Sequence, residues 1–432
     1  MAFGFGFGFG FNGGGGGGGG PTLDLDFLLG TLPSTVTFTR SSTATYFTST
    51  GALATAAINE PRFDYNPATL ALRGLLIEEQ RTNSIRNNTA VGAVAGTPGT
   101  LPTNWGSVVA GLTQTVVGTG VEDGINYIDI RFNGTTTGTS LGVRFESNTG
   151  VAVASGQTWT ASTFCRRVGG SITNVASSSI GLSGLTSAGV LTTDSTSASL
   201  TPVLNMTNLE TTRTSRALTF ADATTAYARV QVIVSFLVGA AIDITLRIGL
   251  PQLELGAFAT SVIPTTGAAA TRAGDSASMT GTNFSSWHNA TEGALYAAGL
   301  LEALPSLATN QLAAISDGTN NNRIQLGAST ASSGNINLLV TSAGVTQANP
   351  LVGSLGTTGP HKSAGAYATN SFQVAVNGAL GTEDTSGSVP SSLSVLNIGA
   401  AGNLNTKGNL WIQRITYYPR RLSNAELQVI TT

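Results

Sequence analysis

Lysine, histidine and cysteine are almost missing from this 432-residue chain. Only Lys362 and Lys407 are lysines, so nearly all positive charge is carried by arginine, whose planar guanidinium suits fixed bidentate pairing with carboxylates. Charged residues of every kind make up 10 % and the net charge is -2, whereas an ordinary soluble domain is about one quarter charged. Such sparse charge excludes the clustered Lys and Arg needed to hold nucleic acid or an anionic membrane. The single cysteine, Cys165, leaves no intrachain disulfide framework and no cysteine-based zinc site. It falls in the strand-like run Trp159 to Arg166 and reads as a small buried apolar residue.

Catalytic constellations are missing too. His288 and His361 lie far apart and neither has an acidic neighbour in sequence. There is no G-x-S-x-G nucleophile elbow, no phosphate-binding loop, no dinucleotide fingerprint and no metal-ligand spacing. Glu78 and Glu79 are adjacent, so on a strand they point to opposite faces and cannot work as an acid and base pair. Nor does any run reach the ~20 apolar residues of a membrane helix. The longest, Val230 to Leu250, is interrupted by Gln231, Ser235, Asp243 and Arg247. Met1 to Phe11 lacks a basic leading region, so no secretion signal is expected. The expectation is a non-enzymatic protein without membrane insertion.

What is present is glycine, at 55 residues, with Thr, Ser, Ala and Asn, and 41 % hydrophobic residues. This is enough apolar surface to fold around, and short strands joined by polar turns fit it. The length suggests two or three domains, each with its own core. Charge is concentrated between Val36 and Asn83, where Arg40, Glu60, Arg62, Asp64, Arg73, Glu78, Glu79 and Arg81 are nearly balanced in sign. Balance of that kind predicts an ion-pair network that pins structure. Thr37 and Thr39 alternate with Val36, Phe38 and Arg40, and Leu72 to Ile77 is a second strand pattern.

The runs TFTRSSTATYF, NEPRFDYNPATL and RGLLIEEQRTN in that stretch resemble a module of tailed-bacteriophage virion proteins, found in tail fibres and other appendages. The resemblance covers about fifty residues and implies a location on the virion, as an external appendage assembled in the host cytoplasm. It also implies lectin-like β-domains downstream. Leu101 to Pro264 fits, because strand patterns at Tyr127–Phe132, Gln157–Arg166, Tyr227–Val238 and Ile242–Leu250 resemble a carbohydrate-binding-module jelly roll closed by PQLELGAFATSVIPT. Gly239-Ala240-Ala241 reads as a hairpin turn joining the last two strands. TGAAATRAGDSA resembles the connector of phage appendage proteins, and a pair between Arg272 and Asp275 would fix the angle between two sandwiches. Residues 285–432 resemble a concanavalin A-like (laminin G-type) sandwich through GTNNNRIQL, HKSAGAYATNSFQVAVNGAL and NLWIQRITYYPRRLSNAEL. Within these, Asn377-Gly378 is a strong hairpin turn, and Ser423 with Glu426 forms a capping box for the one short helix expected.

The fold class read from these observations is all-β, with tandem jelly-roll sandwiches, an extended N-terminal arm and one C-terminal helix. Its parts are 1–20 as arm and tether, 21–95 as the phage-particle module, 96–265 as the jelly roll, 266–284 as a connector and 285–432 as the terminal sandwich. The segment 90–100 reads as a linker. Phe3, Phe5, Phe7, Phe9 and Phe11 alternate with glycine and would share one face of an extended strand, either as an anchor onto other virion proteins or as a low-complexity tail. Asp24 and Asp26 share a strand face, which is the wet side of a strand or a calcium site. Of the four tryptophans, Trp159 and Trp411 read as core, and Trp105 and Trp287 as exposed. Trp105 and Trp287, with Asp317, Asn320, Asn321, Asn322 and Arg323, are the candidate ligand residues, since sugar binding needs flat aromatics and amide or carboxylate groups. The asparagines also read simply as turn formers. The expected role is attachment to host-surface polysaccharide through a homotrimer, as in the phage fibres this chain resembles. The alternative is a collar, neck or capsid decoration protein with a purely structural packing role.

Overall fold

The computed structural model of the chain describes residues 19–146, 150–301, 311–328, 335–353 and 359–432. The Phe-Gly arm, with Phe3, Phe5, Phe7, Phe9 and Phe11, and the glycine tether as far as Gly18 lie outside the described residues. Within them the chain is all-β, folded as two sandwiches of antiparallel sheets.

The jelly roll packs a five-stranded sheet on a six-stranded one. The first runs Thr214–Thr219, Thr158–Gly170, Ala241–Leu255, Ile125–Thr135, Thr113–Glu122. The second runs Leu191–Ser199, Val175–Leu185, Tyr227–Phe236, Ser140–Arg144, Gly106–Val108, with Val151–Ala152 added to Tyr227–Phe236. Alternation drives the layering: in Tyr227–Phe236 every second side chain is buried, placing Val230, Val232 and Val234 in one core with Ile128, Ile130, Phe132 and Cys165. Burial pushes the Cys165 thiol up to about 12, so it stays protonated and inert.

Gly239-Ala240-Ala241 is not a hairpin. The strands it joins belong to opposite sheets: Tyr227–Phe236 pairs with Ser140–Arg144 and Val175–Leu185, Ala241–Leu255 with Ile125–Thr135 and Thr158–Gly170. The turn arches over the end of the sandwich and leaves Leu237 and Val238 exposed. Alternation reveals which side chains face inward but not which strand lies alongside, so a short glycine turn fits either geometry.

The second sandwich has two eight-stranded sheets and is built from both ends of the chain. One sheet contains Leu410–Tyr418, flanked by Glu292–Leu301 on one side and by the N-terminal strands Leu72–Ile77 and Leu23–Asp26 on the other. The facing sheet starts with Thr37–Thr39, paired to Ser276–Thr280. The boundaries read from sequence separate 21–95 from 285–432, yet Leu23, Leu25, Phe27, Val36, Phe38, Leu75 and Ile77 share one core with Leu295, Leu338, Phe372 and Ile415. The jelly roll is therefore an insertion. The chain enters it at Arg81–Asn83 and leaves at Ala270–Arg272, and these two strands pair side by side.

Segment 90–100 is not a free linker: Val94 and Thr100 exchange backbone hydrogen bonds, Gly96 bridges Val116, and Ala90 is buried. Asn377-Gly378 forms its hairpin, and the capping box of Ser423 and Glu426 starts the helix Asn424–Thr431. That helix is not alone, since a single turn spans Thr282–Ser285.

The balanced charges form the expected network at the base of the insertion. Asp275, fully buried, accepts from Arg40 at 3.1 Å, from Arg62 at 2.5 Å and from the amide of Glu78 at 2.8 Å. Glu78 in turn pairs with Arg62 and Arg272, both at 2.7 Å, and accepts from the amide and hydroxyl of Ser261. Arg272 and Asp275 thus do not pair with each other, because each finds its partner in the N-terminal segment. Three arginines face two carboxylates, and the buried Glu254 supplies the third negative charge felt by Arg272. Burial alone would raise Glu78, but Arg272, Arg62 and Ser261 override it and hold the carboxyl at about 2.

Candidate functional site

Where the jelly roll leans on the split sandwich, a cleft of about 530 Å³ remains open. One wall comes from the N-terminal strands and Leu410–Tyr418: Tyr46, Phe47, Asp64, Asn66, Arg73 and Trp411. The other comes from the jelly roll: Thr160, Glu210, Thr211, Arg213, Arg216 and the loop 257–262 that carries Phe258.

Asp64 organises the first wall. Its carboxylate accepts from the amide of Phe47 at 2.7 Å, from the indole of Trp411 at 2.8 Å and from Arg73 at 3.4 Å. Arg73 lies over the Trp411 ring, 4.5 Å from its centroid, so the buried indole backs a guanidinium that is partly open to the cleft. Burial holds Asp64 above the usual carboxylate range, against the pull of those three donors. With its oxygens already committed to them, Asp64 positions groups rather than transferring protons.

On the second wall Arg213 donates to the carbonyl of Thr260 at 2.7 Å and the hydroxyl of Ser162 at 2.9 Å. Arg216 is exposed, and its Nε donates to the hydroxyl of Thr196 at 2.7 Å. Among the described residues no carboxylate lies within ion-pair distance of Arg216. The half-buried Phe258 sits beside Arg81, 5.0 Å from its guanidinium carbon to the ring centroid. Flat apolar faces alternating with guanidinium and hydroxyl donors suit a ligand that is both hydroxylated and ringed, in a cleft of ligand size.

The residues picked from sequence do not converge here. Trp105 is buried, its indole N–H donating to the carbonyl of Asn87 at 2.7 Å and its ring edge-on to Phe145. Trp287 is buried as well, donating to the carbonyl of Asn283 at 2.7 Å and packed on Phe284 and Tyr417. Both expectations of exposure fail for one reason: a loop indole folds back over a sandwich end when a nearby carbonyl can take its N–H. Trp159 and Trp411 are core as expected, although Trp411 also backs the cleft.

Asp317, Asn320, Asn321, Asn322 and Arg323 lie in and beside a turn that satisfies itself. Asp317 accepts from the backbone of Thr319 and from the side-chain Nδ2 of Asn322, while the side-chain oxygens of Asn322 and Asn320 accept from the backbone of Ala343 and Asn403. The Asn321 carbonyl accepts from Gly344, and Arg323 is half-buried in the strand Arg323–Ala328. Asp24 pairs with Arg414 and accepts from Thr416 at 3.0 Å, and Asp26 accepts from the amide of Leu28 at 2.9 Å. Each carboxylate of that pair thus has its own protein partner. Sequence reasoning missed Asp64, Arg73, Arg213, Arg216 and Phe258 as a set. The signal for Asp64 and Arg73 was charge within a segment that binds itself together, while Arg213, Arg216 and Phe258 lie outside that segment and carried no local signal.

No protein-family model matches the chain, and no curated relative matches it by sequence. Among solved structures, it is similar to the CBM40 of the IT-sialidase from Ruminococcus gnavus at 14 % identity, covering 33 % of this chain and 84 % of that one, with a TM-score of 0.29. It is also similar to the Trypanosoma rangeli sialidase in complex with sialic acid, at 12 % identity over 79 % of this chain and 55 % of that one, with a TM-score of 0.27. A third is the receptor binding domain of botulinum neurotoxin mosaic serotype C/D, at 14 % identity, 36 % and 39 % coverage and a TM-score of 0.28.

Proposed function

We propose that this chain is a non-enzymatic structural component of a tailed-phage particle, displayed outward, that contacts host-surface glycan through the cleft between its two sandwiches. The observation that carries the binding role is the cleft wall itself: Arg73 backed by the buried Trp411, Phe47 and Phe258 nearby, and the exposed Arg216, which no carboxylate among the described residues neutralises. A sugar ring lays its apolar face on such a surface and its hydroxyls on the donors. The particle location rests on the resemblance of residues 36–83 to phage appendage modules. Single-site sugar contact is weak, so a homotrimeric appendage carrying several copies would gain by multivalency.

The test is saturable binding of the purified chain to host cells and its block of phage adsorption, with Arg216→Ala and Phe258→Ala beside the wild type. The proposal expects binding that either substitution weakens. A folded protein that leaves adsorption unchanged would instead support the collar or decoration role. Release of reducing ends from host polysaccharide would overturn the non-enzymatic reading.

A further inference from the structure

At the end of the jelly roll that meets the split sandwich, Glu122, Asp123 and Glu210 each bring a carboxylate oxygen within 4.8 Å of the other two. Glu122 and Asp123 occupy the tight turn between Thr113–Glu122 and Ile125–Thr135, and Glu210 sits in the single 3-10 turn Leu209–Thr211. Glu122 is well partnered: one oxygen accepts from the amide of Leu209 at 2.9 Å, and the other pairs with Arg166 and Arg247. Glu210 is not. It is 6 % exposed, its Oε2 is enclosed without any hydrogen-bond partner, and no cation lies within ion-pair distance of its carboxylate among the described residues. A buried carboxylate left that way is costly unless something positive completes it.

The charges nearby indicate what that is. Arg166 and Arg247 balance Glu122 and Asp129, which leaves Asp123 and Glu210 with a charge of -2, matching one divalent cation. All the donors are oxygens, which selects calcium or magnesium over softer metals, and a partly flexible set of carboxylates favours calcium. The place is mechanically apt. The carbonyl of Asp123 accepts from the amide of Leu53 at 2.7 Å, so the turn already touches the split sandwich's hairpin Ala44–Phe47 and Leu53–Ala56. We propose that Glu122, Asp123 and Glu210 form a calcium site that braces the tip of the jelly roll against this hairpin. Glu210 also lines the glycan cleft, but calcium binding and the melting shift are read with no glycan present, so failure of one reading is distinguishable from failure of the other.

The test uses the full chain stripped with EDTA, then titrated with calcium chloride or magnesium chloride in a calorimeter and melted with and without each ion. Calcium should bind and raise the melting temperature of the wild type. Asp123→Asn, at an exposed turn position, should weaken binding by about tenfold or more, since affinity follows the ligands' charge count. Glu210→Gln should abolish the calcium response while making the stripped protein more stable than stripped wild type, because the unpartnered buried charge is gone. Three results would overturn the site: no heat and no melting shift with either ion, a calcium response unchanged in both variants, or a stripped protein stabilised by acid alone and indifferent to metal.

Discussion

The jelly roll occupies one unbroken stretch of chain, whereas the split sandwich takes strands from residues 23–77 and again from 276–418. Both bury a full apolar core, but they reach it differently. Strand neighbours in the jelly roll are gathered within one stretch, while the split sandwich must pair Leu25 with Ile415 before its edge is complete. Loop closure over such a span is slow and depends on the whole chain being present. Because Arg81–Asn83 and Ala270–Arg272 lie side by side, the inserted jelly roll leaves its host as though a short hairpin joined the strands. The lesson is that the segment richest in charge is neither an arm nor a separate module. It is the missing edge of the terminal sandwich and the clamp on the insertion.

The comparison breaks most readily at Asp275. Asp275→Ala leaves Arg40 and Arg62 buried without their shared carboxylate, and removing one partner from a buried pair costs about 3–5 kcal/mol. Denaturant unfolding should show the split-sandwich transition moved to lower concentration and the jelly-roll transition in place. A similar separation follows from core truncation. Leu75→Ala should cost the split sandwich, and Ile130→Ala the jelly roll, about 2–5 kcal/mol each, with the other transition unmoved in either case.

Acid should reach the junction at the low end of the pH range. Glu78 titrates near 2 in the folded chain, below its ordinary 4.5, so the unfolded chain takes up the proton more readily. Its contribution is therefore complete above pH 4.5 and is lost as pH falls from there toward 2. His288 and His361, which burial lowers to about 4, act in the same direction between 6.5 and 4, because only the unfolded chain is readily protonated there. A pH series of melting temperatures on wild type and Glu78→Gln should show the lowest part of this limb flattened in the variant. The smallest effect belongs to Arg131→Ala. Its pair with Asp243 lies on the wet face of the jelly-roll sheet, so no melting shift beyond experimental scatter is expected.

Much of this architecture was legible from local pattern. Leu72–Ile77, the turn at Asn377-Gly378, the capping box at Ser423 and the burial of Cys165 all depend on residues within a few positions of one another. The balanced charges of residues 40–81 also announced an ion-pair network. Pairing across the chain was not legible, because the alternation of Leu23 and Leu25 says which face is dry and nothing about Tyr417 and Ile415 beside them. The same gap turned an inter-sheet arch at Gly239 into an expected hairpin. It also sent the search for a site to Trp105 and Trp287, whose burial is decided by distant packing. The cleft at Asp64 and Arg216 exists only once two sandwiches meet.

The central claim is that residues 21–83 belong to the terminal sandwich while 84–269 stand alone. Leu23, Leu25, Phe27, Val36, Phe38, Leu75 and Ile77 are the seven core side chains at stake. At about 1.5–3 kcal/mol each they are worth roughly 10–20 kcal/mol as an upper estimate, more than the roughly 5–15 kcal/mol that stabilises a typical domain. The most direct measurement is cooperative thermal unfolding of three separate fragments: 84–269, 270–432, and 21–83 joined to 270–432 by a short linker. The account predicts sharp transitions for the first and third and none for the second. A sharp transition from 270–432 alone would contradict it.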